Sequence, residues 1–84
     1  MKHFASPSFW ELYNKLPLAI QKLADKNFEL LKKDAKHPSL HLKKAGNYWS
    51  VRVSMRYRAL GVDIEEGILW FWIGTHAEYD KMLE

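Results

Sequence analysis

Tyr48-Trp49-Ser50-Val51-Arg52-Val53-Ser54, then Met55-Arg56, then Tyr57-Arg58-Ala59-Leu60-Gly61-Val62-Asp63-Ile64-Glu65-Glu66-Gly67-Ile68-Leu69-Trp70-Phe71-Trp72-Ile73 is the stretch whose reading decides the fold. In Tyr48–Ser54, Trp49, Val51 and Val53 alternate with Ser50, Arg52 and Ser54, the two-residue period of a half-buried strand. Tyr57–Ile64 reads as a second strand, and Asp63-Ile64-Glu65-Glu66-Gly67 supplies a hairpin turn whose acids form a solvated tip. Ile68–Ile73 is apolar at every position, so both of its faces should be covered, which places it centrally in the sheet. Gly74 and Thr75 end it. Strict alternation puts Trp70 and Trp72 on one face; a core role is expected for them, with stacking on bases the alternative if that face is open.

Upstream, the period changes. Lys2–Ala5 reads as a short edge strand. Ser6 before Pro7 is a good helix cap, with Ser8 and Glu11 as an alternative capping box. Phe9, Leu12, Tyr13 and Leu16 recur at helical spacing, and Pro17 ends that helix and opens the next. The second helix is expected to run to about Asp34, burying Ile20, Leu23, Ala24, Phe28 and Leu31. Two adjoining amphipathic helices read as a hairpin lying on a flat layer. His37-Pro38-Ser39 is a loop, Leu40–Ala45 a short extended piece and Gly46-Asn47 a turn, while Ala77–Glu84 is a short helix or frayed tail. The expected fold is α+β: an N-terminal helical hairpin packed on a small, mostly antiparallel, twisted sheet, with residues 1–84 as a single domain. The helices can cover one sheet face, leaving the other, or its rim, for a partner or for chemistry.

An 84-residue chain has room for one core and buries only about 60% of its unfolded surface, so it should be marginally stable or stabilised by a partner. With no cysteine, disulfides, thiolate zinc sites and thiol nucleophiles are excluded together, which fits a reducing, cytoplasmic setting. Met1–Trp10 lacks the features of a signal peptide, and no apolar run approaches the roughly 20 residues of a membrane helix. The net charge of +3 is a weak bias, but its distribution is uneven. Between Leu31 and Arg58 stand Lys32, Lys33, Lys36, Lys43, Lys44, Arg52, Arg56 and Arg58, with Asp34 the only acid. On charge alone a solvated face is the simpler reading; an anionic partner such as RNA is the functional one.

The spacing of His37 and His41 would suit a metal on a helix, but Pro38 lies between them and no third ligand is near, so zinc is not expected. There is neither a glycine-rich phosphate loop nor a nucleophile elbow. The more specific set is Arg52, Arg56 and Arg58 within seven residues, Lys43 and Lys44 just upstream, and His76 and Tyr79 after the central strand. Antiparallel pairing could gather these at one sheet edge. Cleavage of RNA by its own 2′-OH needs a proton acceptor, a cation for the phosphorane charge and a proton donor to the leaving oxygen. Arg is a permanently charged bidentate phosphate clamp, His titrates near neutrality, and Tyr can stack or donate. No metal or other cofactor is required. Alternation places Arg58 with Leu60 and Val62 on the expected core face, so it serves only if it stands where the strand begins and its side chain reaches the rim.

Taken in order, Leu16-Pro17, the amphipathic helix, His37-Pro38-Ser39-Leu40, Leu42-Lys43-Lys44, Tyr48–Val53, Tyr57-Arg58-Ala59-Leu60, Leu69–Ile73, and His76 with Tyr79 resemble the RelE/ParE toxin superfamily over nearly the whole chain. The resemblance implies two helices on a twisted antiparallel sheet, and a bacterial type II toxin–antitoxin system with a cognate antitoxin. RelE-like members cut messenger RNA in the ribosomal A site without metal, leaving a cyclic phosphate and inhibiting translation. ParE-like members poison DNA gyrase instead. By position, Arg58 would stabilise phosphate charge, Arg52 would bind phosphate, and His76 and Tyr79 would act as acid or in base stacking. Lys43 and Lys44 lie where some nuclease members hold catalytic lysines, and Arg56 joins the phosphate-binding set. His76 and Tyr79 are separated by Ala77-Glu78 where the family has them adjacent, and no glutamate stands out as a general base. The expected function is a metal-independent, ribosome-dependent mRNA endoribonuclease; the alternatives are a gyrase-directed toxin and a non-catalytic RNA- or protein-binding module.

Overall fold

The computed structural model describes residues 2–83; Glu84, the last residue of the expected tail, and Met1 lie outside it. The order is β1 (Lys2–Ala5), α1 (Pro7–Asn14), α2 (Leu18–Lys33), a 3-10 turn (Pro38–Leu40), β2 (Lys43–Ala45), β3 (Tyr48–Ser54), β4 (Tyr57–Ile64), β5 (Gly67–Thr75) and α3 (His76–Met82). The five strands form one sheet in the order β1-β5-β4-β3-β2, antiparallel except where β1 runs parallel to β5. The apolar run Ile68–Ile73 is thus interior, covered by β1 and β4, but β4 is the middle strand.

Ser6 caps α1 by accepting from the Phe9 N–H at 3.3 Å, and Pro7 sits at the first helical position, where a missing N–H costs nothing. The alternative Ser8 cap is not used: the Ser8 hydroxyl donates to the Phe71 carbonyl at 2.9 Å and ties α1 to β5. At the other end of α1, the Gln21 amide donates to the Tyr13 and Leu16 carbonyls and ties α2 to the end of α1.

Helix α1 lies over β5 and α2 over β3. The Tyr13 hydroxyl joins them by donating to Asp25 at 2.7 Å, and the Asn27 amide fastens α2 to the Val53 carbonyl at 2.6 Å. Ala24 and Leu31 are buried and Ile20 and Phe28 half-buried, but Leu23 remains 39% exposed. One residue advances the helix by about 100°, so with Ala24 turned to the sheet, Leu23 falls on an uncovered flank. The core joins Ala24, Leu31 and Leu40 to Val51, Val53, Ala59, Ile68, Trp70 and Ile73. Gly61 makes room for it, since a Cβ there would stand 2.7 Å from Ile68 and 2.8 Å from Trp70.

A bulge corrects the expected alternation. Leu60 pairs with Trp72 while Gly61 pairs with Trp70, so Phe71 is an extra residue in β5. Trp70 and Trp72 are thereby split: Trp70 is 2% exposed in the core beneath the helices, whereas Trp72 lies on the opposite face beside Leu60. Leu60 is fully buried, yet outside the helix-covered core. The segment expected as helix or frayed tail is the helix α3, which packs on β4 and β5. Thr75 and Glu78 form its capping box, each side chain bonded to the other's backbone N–H. Both sheet faces are therefore covered in part, which one N-terminal helical layer could not do. Among the described residues no helix is long and apolar enough to cross a membrane.

Candidate functional site

The register of β3, β4 and β5 decides what the second face presents. Arg52 pairs directly with Arg58, and Arg58 with Gly74; one row along, Lys43, Ser50, Leu60 and Trp72 are aligned. Arg58 does share its face with Leu60, as alternation requires. That face is the one away from α1 and α2, so the guanidinium needs no escape to a rim. Directly opposed side chains on one face stand about 4.5–5.5 Å apart at Cβ, and like charges so placed repel. Among the described residues no carboxylate forms an ion pair with either arginine.

Arg58 is held in place. Its Nη1 donates to the Ser54 carbonyl at 2.6 Å and to the Tyr57 carbonyl at 3.0 Å, bracing the turn between β3 and β4. Burial, then the charge of Arg52, pushes its pKa below the ordinary arginine value, with Tyr79 and Asp80 opposing. The group remains a cation at any physiological pH. Arg52 reaches the other way, its Nη1 3.3 Å from Nε2 of His41.

Helix α3 brings in the groups from the end of the chain. The His76 N–H donates to the Arg56 carbonyl at 2.6 Å, fixing the start of the helix at the β3–β4 turn. The gap of Ala77-Glu78 is one helical turn, so His76 and Tyr79 share a helix face, with ring centroids 5.6 Å apart. Tyr79 is buried, and His76 Nδ1 lies 3.1 Å from the Asp80 carboxylate. That contact orients the ring and leaves Nε2 as its outward nitrogen. The Trp72 ring packs against Gly74, where a Cβ would come within 2.5 Å of it. A half-buried aromatic surface therefore stands next to the arginine pair.

The sequence-derived set is divided by this geometry. Arg52 and Arg58 are adjacent, Tyr79 acts on the Arg58 charge and carries His76 beside it on α3, and Lys43 lies on the arginine face at the edge strand. Arg56 is exposed in the turn, its guanidinium without a hydrogen-bond partner among the described residues. Lys44 is turned to the helix side by alternation. It pairs with Asp63 and sits 5.1 Å over the Trp49 ring, while the Trp49 indole N–H also donates to Asp63 at 2.7 Å. These contacts, Lys44 first, hold the Asp63 carboxyl below its ordinary pKa, so Asp63 is a structural partner within β4 and not part of the turn, which is Glu65-Glu66. Sequence reasoning missed two members. The spacing of His41 from His37 points only to a metal pair, whereas the structure sets it against Arg52, and strict alternation puts Trp72 on the face of Trp70, from which the bulge removes it. No cluster suited to metal exists among the described residues.

Chemically, the face offers two adjacent fixed cations, an oriented imidazole, a buried phenol and an aromatic surface. Arginine pairs can hold phosphate oxygens, and an aromatic face can stack on a base.

The fold recurs in known toxins. The chain is similar to RelE in the RelB–RelE antitoxin–toxin complex from Methanococcus jannaschii, with TM-score 0.72, 15% identity, and coverage of 96% of this chain and 99% of that one. It is also similar to a YoeB/ParE toxin from Agrobacterium tumefaciens, with TM-score 0.60, 16% identity, and coverage of 83% and 90%. A copper-bound mutant toxin from Helicobacter pylori matches with TM-score 0.60, 15% identity, and coverage of 93% and 97%. Comparison with curated protein sequences gives no match. The family model of the ParE-like toxin domain matches residues 18–81, from the start of α2 into α3. The chain therefore belongs to the ParE-like toxin domain family, within the RelE/ParE toxin superfamily.

Proposed function

We infer that the chain is the toxin of a type II toxin–antitoxin pair and that it cuts messenger RNA on the ribosome. The observation that carries this reading is the Arg52–Arg58 pair, two like charges in direct register with no carboxylate between them. Such an arrangement costs stability unless an anion joins it. A protein that only docks on another has no need of the imidazole that Asp80 orients on α3. The antitoxin present in the Methanococcus jannaschii complex supports a cognate antitoxin as partner here.

In the reaction, the 2′-hydroxyl gives up its proton and its oxygen attacks the adjacent phosphorus. Arg58 and Arg52 hold the equatorial oxygens as charge gathers on them. The bond from phosphorus to the 5′ oxygen breaks, and that oxygen takes a proton from protonated His76. The products are a cyclic phosphate and a 5′-hydroxyl end. Trp72 offers a face for a flanking base, and Tyr79 holds His76 in place by its edge contact.

Tightly controlled expression of the wild type and of Arg58→Ala, with sequencing of mRNA 5′ ends, tests this. Growth arrest with new ends inside translated codons is expected, reduced about 10²–10³-fold in a folded Arg58→Ala protein. Arrest with gyrase-dependent DNA breaks and no RNA ends would overturn it in favour of the gyrase-directed reading, which the ParE-like family match keeps in play. Growth unaffected by expression would point to a non-catalytic binding module.

A further inference from the structure

His41 is the one non-glycine residue with a left-handed backbone among the described residues, at φ 47° and ψ 42°. Few residues other than glycine adopt this conformation, and where they do the surroundings must enforce it, often at sites of function. Here the enforcement is visible. Leu40, the preceding residue, is fully buried, and the His41 N–H closes the 3-10 turn by donating to the Pro38 carbonyl at 3.3 Å. The chain leaves that turn toward β2, and the imidazole is carried to β3, where Nε2 meets Arg52 Nη1 at 3.3 Å.

A guanidinium has donors only. Nε2 of His41 is therefore the acceptor, with its lone pair directed at the arginine and the ring proton on Nδ1. The charged groups around it are Arg52 itself, Arg58 opposite Arg52 and Lys43 two residues on. Among the described residues no carboxylate pairs with His41. His76, oriented by Asp80, opens α3, whose Tyr79 and Asp80 act on the Arg58 charge. Two imidazoles thus belong to the surroundings of the arginine pair, His41 through its contact with Arg52 and His76 through α3.

We propose that His41 is the proton acceptor of the site, an assignment that rests on the RNA-cleavage reading above. A phosphodiester that takes Arg52 as its ligand draws the guanidinium N–H away from His41 and leaves Nε2 free beside the bound phosphate. The 2′-hydroxyl proton passes to Nε2, the 2′ oxygen bonds to phosphorus, the bond to the 5′ oxygen breaks, and protonated His76 supplies the proton to that oxygen. Both rings return to their starting states by proton exchange with water. The resting contact has a further consequence: the acceptor stays occupied by Arg52 until a phosphate arrives.

The test is single-turnover cleavage on ribosomes programmed with a defined mRNA, measured across pH. His41→Asn tolerates the left-handed backbone, and His41→Gly relieves it entirely, so both variants should fold; thermal unfolding checks this. The expected result is a loss of about 10²–10⁴-fold in the cleavage step for His41→Asn, with the acidic limb of the pH–rate profile removed and ribosome affinity unchanged. Exogenous imidazole should restore His41→Gly by at least about tenfold, a rescue that a merely structural role would not give. Cleavage by His41→Asn within about threefold of wild type with its acidic limb intact, or a His41→Gly protein indifferent to imidazole, overturns the assignment while wild-type cleavage leaves the nuclease reading standing. A wild type that leaves the RNA uncut overturns both.

Discussion

On the sheet face beneath α1 and α2, apolar side chains interlock and the polar groups around them are matched. Asn27 holds the Val53 carbonyl, Trp70 donates to His3 at 3.2 Å, and Lys44, Trp49 and Asp63 satisfy one another. On the face bearing Arg52 and Arg58, cations oppose each other and the residue that meets Arg52 is in a strained backbone state. The same sheet and the same hydrogen-bonded register support both arrangements. The difference teaches that the helix-covered face supplies stability, whereas the arginine face sets like charges in register at some cost to it. This division can be broken or sharpened by substitution on either side.

The largest effect should come from the covered face. Trp70 is 2% exposed at the centre of the core, so Trp70→Ala should cost about 3–5 kcal/mol. For a domain whose whole stability is on the order of 5–15 kcal/mol, that is enough to unfold much of the population, as calorimetry or urea titration would show. Trp72→Ala, on the other face, should leave more of the folded state and lower activity instead. Equal destabilisation by the two would erase the distinction between the faces.

Next is an acid dependence rooted in β1. His3 Nδ1 accepts from the Trp70 indole, and burial, followed by nearby positive charge, lowers the His3 pKa below its ordinary value. The unfolded chain then binds the proton more readily, so stability rises with pH in this range. The contribution is complete above the ordinary histidine value of about 6.5 and is lost as the pH falls through the lowered one. Unfolding midpoints taken at near-neutral and mildly acid pH should drop for the wild type and change less for His3→Gln, which keeps an acceptor for Trp70. An unchanged pH slope in His3→Gln would remove His3 from the account.

The smallest effect is expected at Lys44. It is exposed, turned away from the arginines and already paired with Asp63. Lys44→Ala should change stability by no more than about 0.5 kcal/mol and RNA cleavage by less than about threefold. A loss comparable to that of Arg58→Ala would mean that Lys44 leaves Asp63 and joins the substrate, against the division of faces.

Much of this was legible in the sequence. The two-residue period of β3, the helical period of α1 and α2 and the capping role of Ser6 all follow from short-range pattern. What was not legible depends on single insertions or distant pairing. The bulge at Phe71 adds one residue without disturbing an already continuous apolar run, yet it sends Trp70 and Trp72 to opposite faces. The parallel pairing of Lys2–Ala5 with Gly67–Trp70 joins the two ends of the chain, which no local period encodes. Lys43 and Lys44 are equivalent as charges, and only the registry Lys43–Ser50 and Lys44–Trp49 separates them. His41 was hidden because its place depends on a backbone angle, with only the Pro38-Ser39 turn before it as a signal.

The most direct test of the central claim is Arg52→Gln, followed by thermal unfolding and by ribosome-dependent RNA cleavage on the same preparation. Removing one of two opposed cations should leave the midpoint unchanged or raise it by a few degrees, corresponding to up to about 1 kcal/mol, while cleavage falls at least about tenfold. A lowered midpoint with undiminished cleavage would contradict the account, because the arginine pair would then be part of the scaffold and not the seat of the chemistry.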